Sequence, residues 1–199
     1  MNETKKELMR AVKADVVNGT SLPLYTERIK NKVFPVIGEG NHDAKIMFVG
    51  EAPGRNEAAT GRPFCGAAGT VLDELLASVA IPRADVYITN IVKDRPHQNR
   101  DPLPLELESY SPFLDRQIDI IQPKVIATLG RFSMAYILEH FCGDDFPETI
   151  SKIHGKVFTG TASYGKISVV PLYHPAVAIY NPSTKEVIKE DFKVLKTLC

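Results

Sequence analysis

The sequence predicts an α/β fold: three layers, α/β/α, around a central, mostly parallel four-stranded sheet. Three observations lead there. Short apolar or β-branched runs alternate with segments of helical period, the pattern of a parallel sheet covered on both faces. The 199 residues have 44% apolar and 24% charged composition, which suits one domain of ordinary globular character. Three of the four strand-like runs also end in conspicuous Gly/Pro or polar sequence.

Taken along the chain, Glu3 to Val16 sets Leu8, Ala11, Val12 and Val16 near helical spacing, which predicts an amphipathic helix packed on the body. Lys45–Gly50 is an apolar run closed by glycine and reads as a buried strand. Thr70–Ala80 carries Val71, Leu72, Leu75, Leu76 and Val79 on one helical stripe. Val86–Val92 is β-branched and aromatic, hence a second strand. Leu105–Gln122 has helical period, Lys124–Leu129 is a third strand, and Arg131–His140 a further helix. Ile167–Tyr173 is the fourth strand. Ser183 or Thr184 is placed to cap a last helix with Val187, Ile188, Phe192 and Leu195 facing inward. No linker or repeat interrupts this order, so residues 1–199 form one expected domain, with 1–18 as its N-terminal helix.

Twenty-four Lys+Arg balance twenty-four Asp+Glu. Attraction to a polyanion must therefore come from a local basic face rather than from net charge. The charged start has no signal-peptide core, and the uncharged stretch Ile167–Thr184 is broken by three prolines, so no membrane helix is expected. Cys65, Cys142 and Cys199 show no CxxC or Cys/His metal spacing. A cytoplasmic monomer without membrane attachment is the expectation.

In parallel sheets, ligands bind beyond the carboxyl ends of the strands. Gly50-Glu51-Ala52-Pro53-Gly54, Asn90 and His174-Pro175 all stand at such ends and belong together if the topology is right. The Gly50–Gly54 turn lacks the Gly-Lys-Ser/Thr of a nucleotide loop and the GxGxxG of a dinucleotide fold. It is either an ordinary tight turn or a source of backbone donors for a carbonyl or a developing anion. Phe64, among turn residues, is a core residue by composition or a platform for a base. The Asn90 amide offers a donor and an acceptor together, matching a pyrimidine edge, or it simply ends a strand. His174 precedes a proline at a strand end and is the most suggestive of five histidines. Lys93, Arg95 and Arg100 form a small basic cluster. For the stripe Lys185, Lys189, Lys193 and Lys196, phosphate contact and plain solvent exposure both stay open.

Together these segments resemble the family 4 (thermophile-type) uracil-DNA glycosylases. The match runs through Gly38-Glu39-Gly40-Asn41, Met47 to Gly54 with Glu57, and Gly61-Arg62-Pro63-Phe64. Thr89 to Lys93, Arg95-Pro96, Asn99-Arg100, His174-Pro175-Ala176 and Asn181-Pro182 extend it, in collinear order over about residues 20 to 198. The resemblance implies a monofunctional enzyme that hydrolyses the N-glycosidic bond of uracil in DNA and leaves an abasic site. Phe64 would stack on a flipped uracil, Asn90 would bond its O4 and N3–H, and Gly50 and Ala52 would line the base. His174 would donate to O2, and Glu51 would act on the attacking water or the sugar cation, although relatives use Asp where this chain has Ala52. Lys93, Arg95, Arg100, Tyr180 and Asn181 would meet DNA.

One departure is large. Family members hold a [4Fe–4S] cluster on four cysteines, whose positions correspond here to Gly19, Leu22, Asp94 and Tyr110. None of these supplies thiolate ligation. The expectation is a cluster-free protein with no metal, in which Leu22 and Tyr110 fill the space. His97 replaces a proline and Tyr180 an arginine on DNA-facing loops. Two other classes stay in view: a non-catalytic or covalently trapping uracil-DNA binder using His97, and a nucleoside hydrolase acting on small molecules.

Overall fold

The computed structural model describes residues 3–143 and 149–198; Cys199 lies outside them. In chain order the elements are α1 (Lys5–Asn18), α2 (Tyr25–Asn31), β1 (Glu39–Gly40), β2 (Ile46–Gly50), α3 (Arg55–Thr60) and α4 (Ala67–Ser78). There follow β3 (Tyr87–Asn90), α5 (Pro104–Ile121), β4 (Val125–Leu129), α6 (Arg131–Cys142) and α7 (Ile150–Ile153). The chain ends with β5 (Phe158–Ala162), β6 (Gly165–Leu172), α8 (Val177–Tyr180) and α9 (Pro182–Thr197).

The sheet order is β1-β3-β2-β4-β6-β5. Its four central strands are parallel, as the sequence predicts. The short antiparallel strands β1 and β5 close the two edges and enlarge the expected sheet from four strands to six. Two-residue and Gly-containing edges of this kind leave little exposed ladder for another chain to pair with.

Both faces are apolar because β2 and its neighbours alternate within runs that are buried throughout. Ile46 and Phe48 join Leu72, Leu75 and Leu76 of α4 and Ile188, Phe192 and Leu195 of α9 on one side. Met47 and Val49 join Leu114, Ile118 and Ile121 of α5 and Met134, Ile137 and Leu138 of α6 on the other. At roughly 1.5–3 kcal/mol for each fully buried large side chain, these two layers dominate the favourable side of folding.

Helix α1 starts at a reciprocal cap. The Glu7 N–H donates to Thr4 Oγ1 (3.3 Å), and the Thr4 N–H donates to the Glu7 carboxylate (2.8 Å). It buries Met9, Val12 and Val16, so Met9 rather than the exposed Ala11 completes its inner face. The last helix begins at Pro182 with Asn181 as its N-cap, two to three residues ahead of the expected Ser183/Thr184 cap. Proline is well suited to the first helical position because its missing N–H needs no partner there. Val187 is half exposed instead of facing in.

Candidate active site

Strands β2, β3 and β6 deliver Glu51, Asn90 and His174 to one rim of the sheet. There they line a cavity of about 400 Å³ together with Ala52, Pro53, Gly54, Glu57 and Phe64. The expected convergence of the three strand ends is therefore observed. Gly50 lies beneath it. A side-chain carbon at Gly50 would fall on Asn90 Oδ1 and come within 2.9 Å of the Phe64 ring. Only glycine lets the amide and the ring meet over the end of β2. Asn90 is buried, and its Oδ1 has no hydrogen-bond partner. An unsatisfied buried acceptor costs about 1–3 kcal/mol, and because Asn90 lines the cavity, unlike the likewise unpartnered Thr128 Oγ1, a ligand there can meet it.

Phe64 adopts left-handed backbone geometry (φ 47°), which is strained for a non-glycine residue. Glu57 stabilises that turn: its Oε1 accepts the N–H groups of Cys65 (3.1 Å) and Gly66 (2.9 Å). The ring is buried and stands 5.6 Å from that of His174, tilted by 30°. The slot between them and Asn90 suits a flat heterocycle.

His174 Nδ1 accepts the Ala176 N–H (3.2 Å), which leaves the ring proton on Nε2. Burial holds its pKa down to about 4, against the opposing pull of Glu57, so the ring is a neutral donor at neutral pH. Glu51 rests at the start of α6, its Oε1 accepting the Phe132 N–H (3.1 Å). Burial pushes its carboxyl above the ordinary range; the Phe132 N–H opposes this, while Asp101 adds to it. Gly130, at φ 106°, makes room here, since any side chain would collide with the Glu51 carboxylate. A glycine directly after β4, like Gly50 at the end of β2, was the available signal for this contact in the sequence.

The expected DNA-facing residues separate. Tyr180 is 87% exposed at the cavity rim, with Ile179 beside it. Arg100 lines the cavity too, but it is tied to Glu106 by two bonds (2.8 and 2.5 Å). Arg95 is not in the lining but bonds Asn99 (2.7 Å), which is, and exposed Asn181 precedes α9. Lys93 corrects the sequence reading. It is fully buried, and its ammonium is taken up by Thr89, Asn90 and Gln117, so it cannot contact phosphate. Burial lowers its pKa to about 7, with Asp115 pulling the other way. The lysine stripe is largely paired as well: Lys185 with Glu74, Lys189 with Glu186 and Lys193 with Glu190. His97 is exposed, bonded to Glu27 (2.9 Å), and is not part of the lining.

The four positions that hold cysteine in the resembled family also converge. The Leu22 N–H donates to Gly19 O (3.1 Å), and Leu22 and Tyr110 share an apolar cluster with Leu24 and Val92. The Tyr110 hydroxyl donates to Asp94 (2.6 Å), which also receives the Arg28 guanidinium (2.9 and 3.1 Å). Arg28 further donates to the carbonyls of Val16 (3.2 Å) and Val17 (2.8 Å). These residues do not fit an iron–sulfur cluster: they offer no thiolate, and the one anionic group is already neutralised by arginine. Nothing in the sequence near Arg28 pointed to this pairing, 66 residues distant.

Comparison with known proteins places this α/β fold and its cavity among the glycosylases. The model of the uracil DNA glycosylase superfamily matches residues 37–196. The type-4 uracil-DNA glycosylase of Archaeoglobus fulgidus is 47% identical over 170 residues, 85% of this chain and 84% of the relative. That of Sulfurisphaera tokodaii is 44% identical over 191 residues, 96% and 84%. That of Thermotoga maritima is 39% identical over 196 residues, 98% and 96%. The chain belongs to the uracil DNA glycosylase superfamily, in its type-4 branch.

Proposed function

We propose that the protein is a monofunctional uracil-DNA glycosylase of DNA base-excision repair that works without an iron–sulfur cluster. The observation that carries this reading is the buried, unpartnered Oδ1 of Asn90, set beneath Phe64 and beside a neutral histidine donor. A base inside a duplex cannot reach such a slot, so the nucleotide must be extruded. Uracil then stacks on Phe64, and the Asn90 amide takes N3–H on Oδ1 while its N–H meets O4.

Breaking the C1′–N1 bond leaves the electron pair on uracil and positive charge on the sugar. The Nε2–H of His174 stabilises the growing anion at O2, and a neutral donor suffices because the charge develops only in the transition state. The Glu51 carboxylate faces the cationic side and takes the proton of the water that adds to C1′. Lys93 is fully buried, does not line the cavity and is held by Thr89, Asn90 and Gln117 away from C1′, which supports plain hydrolysis over lyase chemistry. The Arg28–Asp94–Tyr110 corner supports a cluster-free protein, so the purified chain is expected to be colourless.

Action as a monomer is part of this proposal. Among the described residues no helix is long and apolar enough to cross a membrane. A cytoplasmic site of action is part of the proposal because the expected substrate is DNA.

The test is release of uracil from a single-uracil oligonucleotide, read as alkali-labile abasic DNA, beside free deoxyuridine and a cytosine oligonucleotide. Uracil release from the oligonucleotide alone is expected. Turnover of deoxyuridine alone would make the protein a nucleoside hydrolase, and binding without release would make it a uracil-DNA binder.

A further inference from the structure

Lys93 is a buried ammonium with no carboxylate in ion-pair contact among the described residues. Its three N–H groups meet three neutral acceptors: Thr89 Oγ1 at 2.9 Å, the Asn90 backbone carbonyl at 2.6 Å and Gln117 Oε1 at 2.5 Å. Each side-chain acceptor has its own proton engaged elsewhere. The Thr89 hydroxyl donates to Ile37 O (2.7 Å), and the Gln117 amide donates to Ile37 O (2.9 Å) and Tyr87 Oη (3.1 Å). All three protons and all three lone pairs are matched. As a stability device this is poor, because an apolar side chain of the same length would avoid the cost of burying a charge.

The arrangement makes sense from what the lysine grips. The Asn90 carbonyl belongs to the Asn90–Ile91 peptide, whose N–H donates to Gly50 O (3.0 Å), and the next N–H, of Val92, donates to Glu51 O (3.0 Å). These bonds prolong the β2–β3 pairing past the ends of both strands, to the two residues whose side chains enter the cavity. Hydrogen bonding from an ammonium to the carbonyl also polarises that peptide and strengthens its N–H bond to Gly50. With Oδ1 unpartnered, backbone placement is what aims the Asn90 amide.

From this we infer that Lys93 is a positioning residue, which holds the Asn90–Ile91 peptide and thereby sets Asn90 and Glu51 at the distance that base reading and water attack require. The inference rests on the glycosylase reading above for its catalytic consequence, but not for the grip itself.

The test uses the full-length protein with Lys93→Met and the double variant Lys93→Met/Gln117→Leu, in which the orphaned amide acceptor is also removed. Lys93→Met is expected to lower kcat for uracil release about 10–100-fold, as small misplacements of reacting groups do. KM and the salt dependence of DNA binding are expected to stay unchanged. The double variant is expected to regain melting temperature without regaining kcat. Hydrogen exchange at the Ile91 and Val92 amides is expected to quicken at least tenfold in both variants. Recovery of kcat together with stability would overturn the inference, leaving Lys93 a structural residue. So would unchanged exchange at Ile91, or a loss confined to KM and the salt slope. The exchange reading tests the grip even if the wild-type protein releases no uracil, an outcome that would count against the glycosylase reading instead.

Discussion

Lys93 and Asp94 are neighbours in the chain, opposite in charge and both buried, yet they serve two regions built on different rules. Asp94 lies in a corner where charge meets charge: Arg28, 3% exposed, pairs with a carboxylate that is 1% exposed, and Tyr110 adds a third bond. Lys93 points to the other side, where an ammonium is held by neutral acceptors under a cavity whose own amide oxygen is unsatisfied. The corner completes its polar bonds and joins the end of α1, α2, the loop after β3 and α5. The cavity end leaves a hydrogen-bonding group open. Adjacent residues thus divide between holding the fold and preparing a reaction, and substitutions should separate the two.

The largest expected effect is in the corner. Arg28→Met leaves Asp94 buried without its partner, and equilibrium denaturation at pH 7 should show a loss of about 3–5 kcal/mol. Burial already pushes the Asp94 carboxyl upward. In the variant its folded-state pKa rises further above the unfolded value, so the loss should shrink as pH falls and the carboxyl takes up a proton. Arg28→Met/Asp94→Leu should recover most of the stability, and the folded fraction of either variant should keep the wild-type single-turnover rate. A rate that falls in step with stability would erase the division between the regions.

The converse test comes next. His174→Ala should slow single-turnover uracil release by about 10²–10³, the usual cost of losing one donor to a developing anion. Melting temperature and binding of uracil-DNA should change little. An unchanged rate would remove His174 from the chemistry.

Asn90→Asp sharpens the reading of the base itself. A carboxylate keeps the shape but cannot donate to O4, whereas it accepts from cytosine N4. Each mismatched buried polar group costs about 1–3 kcal/mol. Uracil release should therefore fall sharply and weak cytosine release should appear in matched oligonucleotides. Full uracil activity in the variant would show that the amide does not read the base.

The smallest effect is in the pH profile. In the proposed mechanism Glu51 acts as carboxylate, and burial raises its pKa above the ordinary value, so kcat should fall as pH drops through that raised value. His174 titrates only near 4 and stays neutral over the same range. Glu51→Gln should lower kcat and flatten the acid limb; a limb that survives the substitution would belong to another group.

What was legible in the sequence follows the same division. Ile46–Gly50 could be read as a strand because a short, wholly apolar run ending in glycine fits a strand buried on both faces. Glu39–Gly40 and Phe158–Ala162 could not, since edge strands need no such run and Gly160 interrupts the second. Asn90, His174 and Phe64 were visible because polar or aromatic residues at strand ends and turns stand out locally. Lys93 was misread as a phosphate contact because a lysine beside two arginines resembles a solvated patch. What reverses that reading is Gln117, on a helix 24 residues later. Arg28 was passed over for the same reason: its partner lies too far along the chain for local pattern to reveal it.

The adjacency of Lys93 and Asp94 has a consequence for how this chain can vary over evolutionary time. Inserting one residue between Asn90 and Lys93 would carry the ammonium to the position that faces Arg28. Deleting one would draw the Asp94 carboxylate in among the lone pairs of Thr89, Asn90 and Gln117. Both placements are repulsive, so this short turn should tolerate substitution far better than any change of length. In a library of single-codon insertions and deletions, the stretch from Asn90 to Asp94 should stand out as one that admits none.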